Sequence, residues 1–421
     1  MSDVTWFSYV FLAIQVGLLI FGCYFLVVTF FGFGKPPKIS RREPINRFLL
    51  LVPAHNEEAV IENLVDNLVD GLAYPKELYT VCVIADNCTD NTALIAHDGG
   101  AFVIENTTPT GQPRGKPYAI LAALEAFADL LYKDYDAIAV FDADNLVDSS
   151  YLQHMNKHLL NGERVIQCYL DSKNPDDNHI TLGYAIAYYS MNRMWQLAKY
   201  RLGLPNAIGG TGFCIDTSVI KQIGWTARSL TEDLEFTIQC ICNGIPVTWC
   251  HATRIYDEKP ESLKVSLIQR LRWCRGHWDV AFRYIPKLLL RAITKLDHRA
   301  LDGVIYLAMP SVMLIIALMW TLFFVGVLIF DQPVFQLLPL WAWMFLWVLT
   351  RIYLLIVCSI DSTVKYGKVE AVLALMFFNL TYVPLSFWGM LTCKNKTWVR
   401  TEHTRAISSK AISSIAVQGR E

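Results

Sequence analysis

The sequence predicts an α/β domain built on a parallel sheet and set between helices apolar enough to cross a membrane. Three observations predict it. From residue 48 to about 144, short apolar strands alternate with amphipathic stretches, the pattern of βαβ units. One long apolar segment precedes that region and three follow it. Polar clusters stand at the carboxyl ends of three of the strands, where open α/β sheets bind ligands.

Composition agrees with a membrane-bound chain. Of 421 residues, 53% are apolar and 18% charged, too apolar for a plain soluble enzyme. The net charge of -1 excludes nothing, so the distribution of charge has to be read instead. Residues 6–33 carry no charge, a run longer than the ~20 residues that a spanning helix needs. It lacks a basic n-region and a small-residue cleavage site, which predicts a signal anchor over residues 1–34 rather than a removed signal peptide. Lys35, Lys38, Arg41 and Arg42 follow the run, while only Asp3 precedes it. Positive-inside bias then places the N-terminus outside and the following domain in the cytoplasm. Cys82, Cys88, Cys168, Cys214, Cys240, Cys242, Cys250 and Cys274 lie in that cytoplasmic portion without paired zinc-type spacing. They are expected to be buried small hydrophobes, with no disulfides.

The expected strands are 48–53, 80–85, 101–104 and 137–141, and the clearest helix is 119–131. The strand ends carry Pro53-Ala54-His55-Asn56-Glu57-Glu58, Asp86-Asn87 and Asp142-Ala143-Asp144, a grouping that points to a nucleotide site. No glycine-rich dinucleotide fingerprint follows the first strand and no P-loop occurs, which counts against NAD, FAD and P-loop NTPases. Asp86 and the Asn56–Glu57 turn suit a base and ribose. Arg114-Gly115-Lys116 precedes a helix, so Lys116 and nearby amides suit a phosphate; a solvated turn is the plainer alternative.

Asp142 and Asp144 offer the hard oxygens that Mg²⁺ or Mn²⁺ takes alongside phosphate oxygens. Such an ion neutralises a diphosphate leaving group. The alternative is an aspartate that merely caps the next helix. Ser229 to Glu232 has capping-box spacing ahead of an apolar pattern. Glu232 and Asp233 then fall in a first helical turn, where the dipole favours the ionised form that a general base requires. Acids at helix starts are also routine.

Beyond Lys259-Pro260 the chain is rich in Arg and Lys. Gln269, Arg272 and Trp273 share one helical face, a cation suited to diphosphate beside an indole suited to a sugar. Arg283, Lys287, Arg291, Lys295 and Arg299 recur every four residues with apolar residues between them. This predicts amphipathic interfacial helices over 259–300, with the basic side toward anionic head groups and no nucleic acid involved. The apolar segments 303–330, 334–360 and 369–392 follow. Arg351, Asn379 and Pro384 inside them are expected to face protein. Four spans would leave the C-terminal tail (394–421) outside, yet Lys394, Lys396, Arg400, Arg405 and Lys410 argue for inside. A re-entrant or interfacial segment among the last three resolves the conflict, and the sequence does not say which.

Taken together, these motifs resemble the membrane-integrated family-2 glycosyltransferases, a group that includes cellulose, hyaluronan, chitin and poly-N-acetylglucosamine synthases and ceramide glucosyltransferase. The resemblance covers roughly 48–278 and rests on the 53–58 opening, Asp86, Gly115-Lys116, Asp142-Ala143-Asp144, Gly209-Gly210-Thr211-Gly212, Thr231-Glu232-Asp233 and Gln269-Arg270-Leu271-Arg272-Trp273. It implies an α/β glycosyltransferase-A fold over 45–258 and an inverting transfer from a UDP-sugar. Pro53, Asn56, Glu57, Asp86, Lys116, Asp142, Asp144, Gln269 and Arg272 would bind the nucleotide sugar, with Asp142 and Asp144 also holding Mg²⁺ or Mn²⁺. Asp233 would be the base, within the Thr231-Glu232-Asp233 motif. Trp273, Gly210, Thr211 and Gly212 would meet the acceptor. The expected acceptor is a growing β-linked polysaccharide fed by UDP-GlcNAc or UDP-glucose, with a single transfer to a membrane lipid as the alternative. The expected location is the plasma membrane with the catalytic domain cytoplasmic, with a small accessory subunit or homo-oligomerisation completing any channel. Two departures bear on processivity: the polysaccharide synthases have more spans, and their acceptor loops differ from the glycine-rich stretch at 209–212.

Overall fold

The computed structural model describes residues 6–40, 42–331, 333 and 337–397. Asp3, Arg41, Val334 and the expected polar tail from 398 onward lie outside the described residues. The domain is an eight-stranded mixed sheet: β1 (Phe48–Ala54), β2 (Tyr79–Asp86), β3 (Phe102–Asn106), β4 (Ala137–Val140), β5 (Leu146–Val147), β6 (Val165–Ser172), β7 (Phe213–Asp216) and β8 (Val247–Asp257). Their order is β3-β2-β1-β4-β7-β6-β8-β5. The four strands expected from sequence are β1 to β4, all parallel. The remaining half is a departure from a purely parallel sheet, because β7 runs antiparallel to both β4 and β6.

Strand β1 shows why its sequence is apolar without interruption. Phe48, Leu50 and Val52 pack into one core with Ile61, Leu64 and Tyr151. Leu49 and Leu51 pack into the other with Ile120, Val219 and Phe236. A parallel strand covered on both faces has no polar side to display. Each such leucine contributes ~1.5–3 kcal/mol by leaving water. The expected helix at 119–131 is two helices, Lys116–Ala126 and Ala128–Asp134, with the break at Phe127. Its earlier start places Lys116 in the first helical turn.

Among the described residues, four helices are long and apolar enough to cross a membrane: Tyr9–Phe33, His298–Ile329, Leu340–Ile360 and Lys368–Leu391. Between the domain and the last three runs one helix, Leu263–Lys295. All eleven cysteines are free, and Cys82, Cys168, Cys214, Cys240, Cys250 and Cys274 are buried. Arg351 is half-buried with its guanidinium 5.6 Å from the Trp347 ring. Asn379 and Pro384 are exposed, against the expectation that they face protein.

A π-helical stretch, Met191–Leu197, ties the domain to these helices. Arg193 is paired with Asp361 at the end of the third apolar helix and donates to the Gly32 carbonyl at 3.1 Å. Trp195 stacks on Phe25 at 4.9 Å, and Lys199 meets Asp302 at 2.5 Å. Both ion pairs are buried. Removing one partner of such a pair leaves an uncompensated charge and costs about 3–5 kcal/mol. Arg193→Met is therefore expected to lower the thermal unfolding midpoint in detergent sharply. Arg193→Met combined with Asp361→Leu should recover most of the loss; an unchanged midpoint in the single variant would contradict the role given to the pair.

Candidate active site

The sheet topology delivers the polar residues to one edge. Strands β1, β2 and β4 end there with Pro53, Asp86 and Asp142. Because β7 is antiparallel to β4, with Val140 opposite Phe213, the glycine-rich loop before β7 arrives at the same edge. Strands β6 and β8 run parallel to each other and bring Asp257 and Glu258 there as well. A cleft of about 1210 Å³ opens along this edge.

At one end of the cleft, Asp86 is buried, and its Oδ1 accepts from Asn87 Nδ2 at 2.8 Å and Asn106 Nδ2 at 2.7 Å. His55 Nδ1 lies 2.7 Å from the Asp86 carbonyl. Glu57 lines the cleft and donates its amide to Thr92 Oγ1 at 2.8 Å. Asn56 is a correction: it is not among the cleft-lining residues, and its Oδ1 accepts the Thr89 amide at 2.8 Å. With φ at +56° it is a turn residue, a conformation that asparagine tolerates better than most.

At the centre, Lys116 is ion-paired with Asp142 and donates to the Gly210 carbonyl at 2.6 Å. Glu232 is 3.9 Å from the same ammonium. Burial pulls the Lys116 ammonium down, but the charges of Asp142 and Glu232 outweigh it and hold its pKa above the usual lysine value. The Asp142 amide donates to both Asn145 Oδ1 and Thr211 Oγ1 at 3.0 Å, and the Thr211 hydroxyl is bonded to Asn145. Thr211 therefore secures the aspartate loop with its hydroxyl. Gln167 holds the glycine-rich loop from beneath, accepting the Gly209 amide and donating to the Thr211 carbonyl, both at 2.9 Å. Gly212 is a second correction: it lies outside the cleft lining, and a Cβ there would sit 2.8 Å from Cys168 Sγ. Gly210 does line the cleft, where a Cβ would lie 3.5 Å from Asp233 Oδ2.

Asp144 Oδ2 accepts the Glu258 amide at 2.9 Å. Asp257, paired with Lys259 at 2.7 Å, is pushed up to about 6 by burial; Lys259 opposes this, and Asp144 and Asp142 reinforce it. Carboxylate oxygens are the hard ligands that Mg²⁺ or Mn²⁺ takes. Among the described residues no three or more His, Cys, Asp or Glu side chains group as a metal site. Asp142 and Asp144 offer two carboxylates, the number that such an ion takes when the rest of its shell comes from phosphate oxygens and water.

The helix Glu232–Cys242 begins at the cleft, with Thr231 as its N-cap residue. The expected capping box does not form. Glu235 instead accepts the amides of Arg228 at 2.8 Å and Ser229 at 2.7 Å, and pairs with Arg283 at 2.6 Å. Glu232 and Asp233 are both partly buried in the cleft wall. Burial pushes Glu232 up to about 7, with Lys116 opposing and Asp233 reinforcing. Burial also raises Asp233, against the Leu234 amide and Lys116. Desolvation thus outweighs the helix-start effect expected from the sequence, and the unliganded pair holds a proton more tightly than free carboxylates.

The long helix Leu263–Lys295 closes the cleft. Gln269 accepts the Tyr184 hydroxyl at 2.9 Å. Arg272 Nε has no hydrogen-bond partner among the described residues. Burial lowers the Arg272 pKa, with Glu232, Asp142 and Asp233 opposing. Trp273 packs edge-on to Tyr184 at 6.2 Å. Gly276 sets the seat of this helix: a Cβ there would meet Thr231 Oγ1 at 2.4 Å. Arg270, between the motif residues, is buried elsewhere and reaches helix Lys368–Leu391, donating to the Phe378 carbonyl at 3.0 Å.

Of the residues expected at the site, all but Asn56 and Gly212 line this one cleft. Sequence reading missed Asp257, Glu258, Tyr188, His277 and the far end formed by Tyr306, Met309, Met313, Phe378 and Tyr382. Asp257 and Glu258 had a usable signal, an acidic pair at the end of the apolar alternation 247–256. The others had none, because their meeting depends on helix packing.

Comparison with known proteins gives a consistent picture. A family model described as glycosyltransferase-like family 2 matches residues 45–276. A probable glycosyltransferase, YdaM of Bacillus subtilis, is 30% identical over 247 residues, 56% of this chain and 57% of that protein. A β-monoglucosyldiacylglycerol synthase of Nostoc sp. is 28% identical over 250 residues, 56% of this chain and 51% of that protein. A poly-β-1,6-N-acetyl-D-glucosamine synthase of Staphylococcus aureus is 24% identical over 269 residues, 62% and 61% of the two chains. The match thus spans between half and two-thirds of these curated relatives. Among solved structures, the mannosyltransferase PcManGT of Pyrobaculum calidifontis, determined with GDP-Man and Mn²⁺, superposes with a TM-score of 0.51 at 16% identity. That likeness covers 90% of this chain and 97% of the other, and it bears on the fold.

Proposed function

The chain belongs to glycosyltransferase-like family 2, and on that premise we propose that it is an inverting transferase moving a sugar from a UDP-sugar, UDP-GlcNAc or UDP-glucose, to an acceptor hydroxyl presented from the membrane. The observation that carries the reading is the continuity of the cleft. It runs from Asp86 past Lys116, Asp142 and Asp233 to Trp273, and ends among Tyr306, Met309, Met313 and Phe378 on helices apolar enough to cross a bilayer.

In this reading Asp86, Glu57 and Pro53 hold the uridine end, and Asp142 and Asp144 hold a divalent ion that, when bound, neutralises charge on the diphosphate. Asp233 takes the proton from the acceptor hydroxyl as that oxygen attacks the anomeric carbon. The sugar–phosphate bond breaks on the opposite face and UDP leaves with the electron pair, so an α-linked donor gives a β-linked product. Arg272 and Lys116 offset the charge that develops on the leaving group. Holding donor and acceptor on two sides of one cleft supplies much of the remaining acceleration.

The apolar far end favours a lipid-anchored acceptor, with membrane lipid as its source. A growing β-linked polysaccharide is the second reading, favoured by the rings of Tyr188, Tyr306 and Tyr382, which line the cleft together with Trp273 and suit stacking on sugars. UDP release by the purified protein in nanodiscs, across a panel of UDP-sugars with Mn²⁺ or Mg²⁺, tests the transfer. Sizing the product then separates the acceptors. A small organic-soluble product that needs added lipid supports the first, and a high-mass product replaces it with the second. No release from any donor would defeat both. A catalytic domain on the cytoplasmic side of the plasma membrane, where UDP-sugars are made, completes the reading.

The shifted carboxyls give a pH prediction. A base with a raised pKa is protonated, and idle, below that pKa, so kcat/KM should fall as pH drops toward the range set by the Glu232–Asp233 pair. Glu232→Gln removes a negative neighbour from Asp233 and is expected to move that fall to lower pH, with UDP binding little changed. A pH profile unmoved by the substitution would show that the pair does not set it.

A further inference from the structure

Helix Lys368–Leu391 has the length and composition of a membrane span, but its neighbours are those of a helix lying on the catalytic domain. Near its start, Glu370 is 3.7 Å from His179, and Ala371 and Leu375 pack with Tyr184 and Tyr189 of the domain helix His179–Ser190. Midway, a Cβ on Gly183 would lie 3.2 Å from Phe378 Cβ, and Arg270 donates to the Phe378 carbonyl at 3.0 Å and to Thr381 Oγ1 at 2.7 Å. Further on, Trp278 Nε1 donates to the Ser386 carbonyl at 3.0 Å. A Cβ on Gly389 would lie 2.7 Å from Cys274 Cβ, and just past the helix Arg275 Nε donates to Thr392 Oγ1 at 2.9 Å. The first and last of these contacts are about 30 Å apart along the axis. A helix in touch over that whole length with the domain helix His179–Ser190 and with helix Leu263–Lys295, which closes the cleft, runs along them rather than away from them.

Its other face is a stripe of Val369, Leu373, Phe377, Leu380, Phe387 and Leu391, each more than half exposed and spaced by three, four or seven residues. Asn379 and Pro384 are exposed on the outward side too, costly in the hydrocarbon centre and acceptable near head groups. At one end the stripe adjoins the third apolar helix, whose Leu354, Val357 and Cys358 pack with Ala371 and Leu375. Past the other end, Lys396 lines the same cleft as Lys116 and Asp142. A crossing helix would carry Lys396 to the far side of the bilayer.

We propose that helix Lys368–Leu391 lies in the cytoplasmic leaflet with this stripe among the acyl chains, and that the chain crosses the membrane three times. Three crossings place the segment after the helix on the side of the catalytic domain, which removes the conflict between span count and basic tail. The helix also supplies Phe378, Tyr382 and Ser386 as one wall of the cleft, opposite Tyr306, Met309 and Met313 of the second apolar helix. On the transfer reading above, a lipid-anchored acceptor then enters sideways from the leaflet between a lying helix and a crossing one.

The test is location. One epitope tag is placed after Glu421 and another between residues 331 and 339, each in the full chain, and antibody access is scored before and after permeabilising cells. Tags on opposite sides of the membrane are the expected result. Tags on the same side would overturn the proposal, since a fourth crossing puts both there. Because this readout is position rather than turnover, it can fail while the transfer reading stands, and the reverse. UDP release by each tagged protein shows that the tag has left the fold intact.

Discussion

Asp233→Asn is expected to abolish sugar transfer while leaving the protein folded and able to bind UDP. The side chain keeps its size beside Gly210, where added bulk would crowd it, but the amide cannot accept a proton at neutral pH. General-base catalysis contributes about 10²–10⁴-fold, and with no second ionised carboxylate placed for the task the loss should fall in the upper part of that range. Glu232 is the nearest substitute, yet it is pushed up to about 7 and held within 3.9 Å of Lys116. The check is kcat for UDP release in nanodiscs alongside the affinity for UDP. A variant that retains a tenth of wild-type kcat would remove Asp233 from the base role, and weakened UDP binding would instead place it with the donor.

Arg272→Ala carries the next largest effect, a fall in kcat of about 10²–10³-fold. Arg272 stands in a wall shared with Glu232, Asp142 and Asp233, each of which acts on its charge. Without the guanidinium, fewer cations offset the repulsion of a diphosphate by those carboxylates, so the KM for the donor should rise as well. Lysine should rescue only in part, because its ammonium cannot present two parallel donors to a diphosphate. Trp273→Ala should act differently, raising the acceptor KM with less change in donor binding. Equal effects of both substitutions on donor and acceptor would argue against separate roles. Gly276 explains why these residues tolerate little displacement: the helix that carries them touches Thr231 there, where a Cβ would be 2.4 Å from the hydroxyl.

The legible part of this protein is local. Each acidic cluster follows an apolar strand, so the βαβ pattern alone was enough to put Pro53, Asp86 and Asp142 at one edge of a sheet. The helical repeat put Gln269, Arg272 and Trp273 on one face in the same way. Expectations failed where a side chain had a competing partner across the fold. Asn56 turns to Thr89, Gly212 makes room for Cys168 and Ile255, and the Ser229 amide that a capping box would give to Glu232 goes to Glu235. The raised carboxyls of Glu232 and Asp233 belong to this group too. A helix start is visible in a sequence, whereas the desolvation that overrides it comes from walls contributed by distant segments.

Sequence by itself determined the strand–helix alternation, the order of the motifs, the family resemblance and four apolar segments, because hydrophobic period and residue chemistry are properties of short stretches. Tertiary structure decided the rest. The antiparallel β7 brought the glycine-rich loop beside Asp142, and β8 brought Asp257 and Glu258. The buried pairs Arg193–Asp361 and Lys199–Asp302 joined the domain to the apolar helices. Helix Lys368–Leu391 found its partners on the domain surface through Gly183, Gly389 and Arg270. An apolar helix of that length is equally at home across a bilayer or along its surface, and only the contacts it makes distinguish the two.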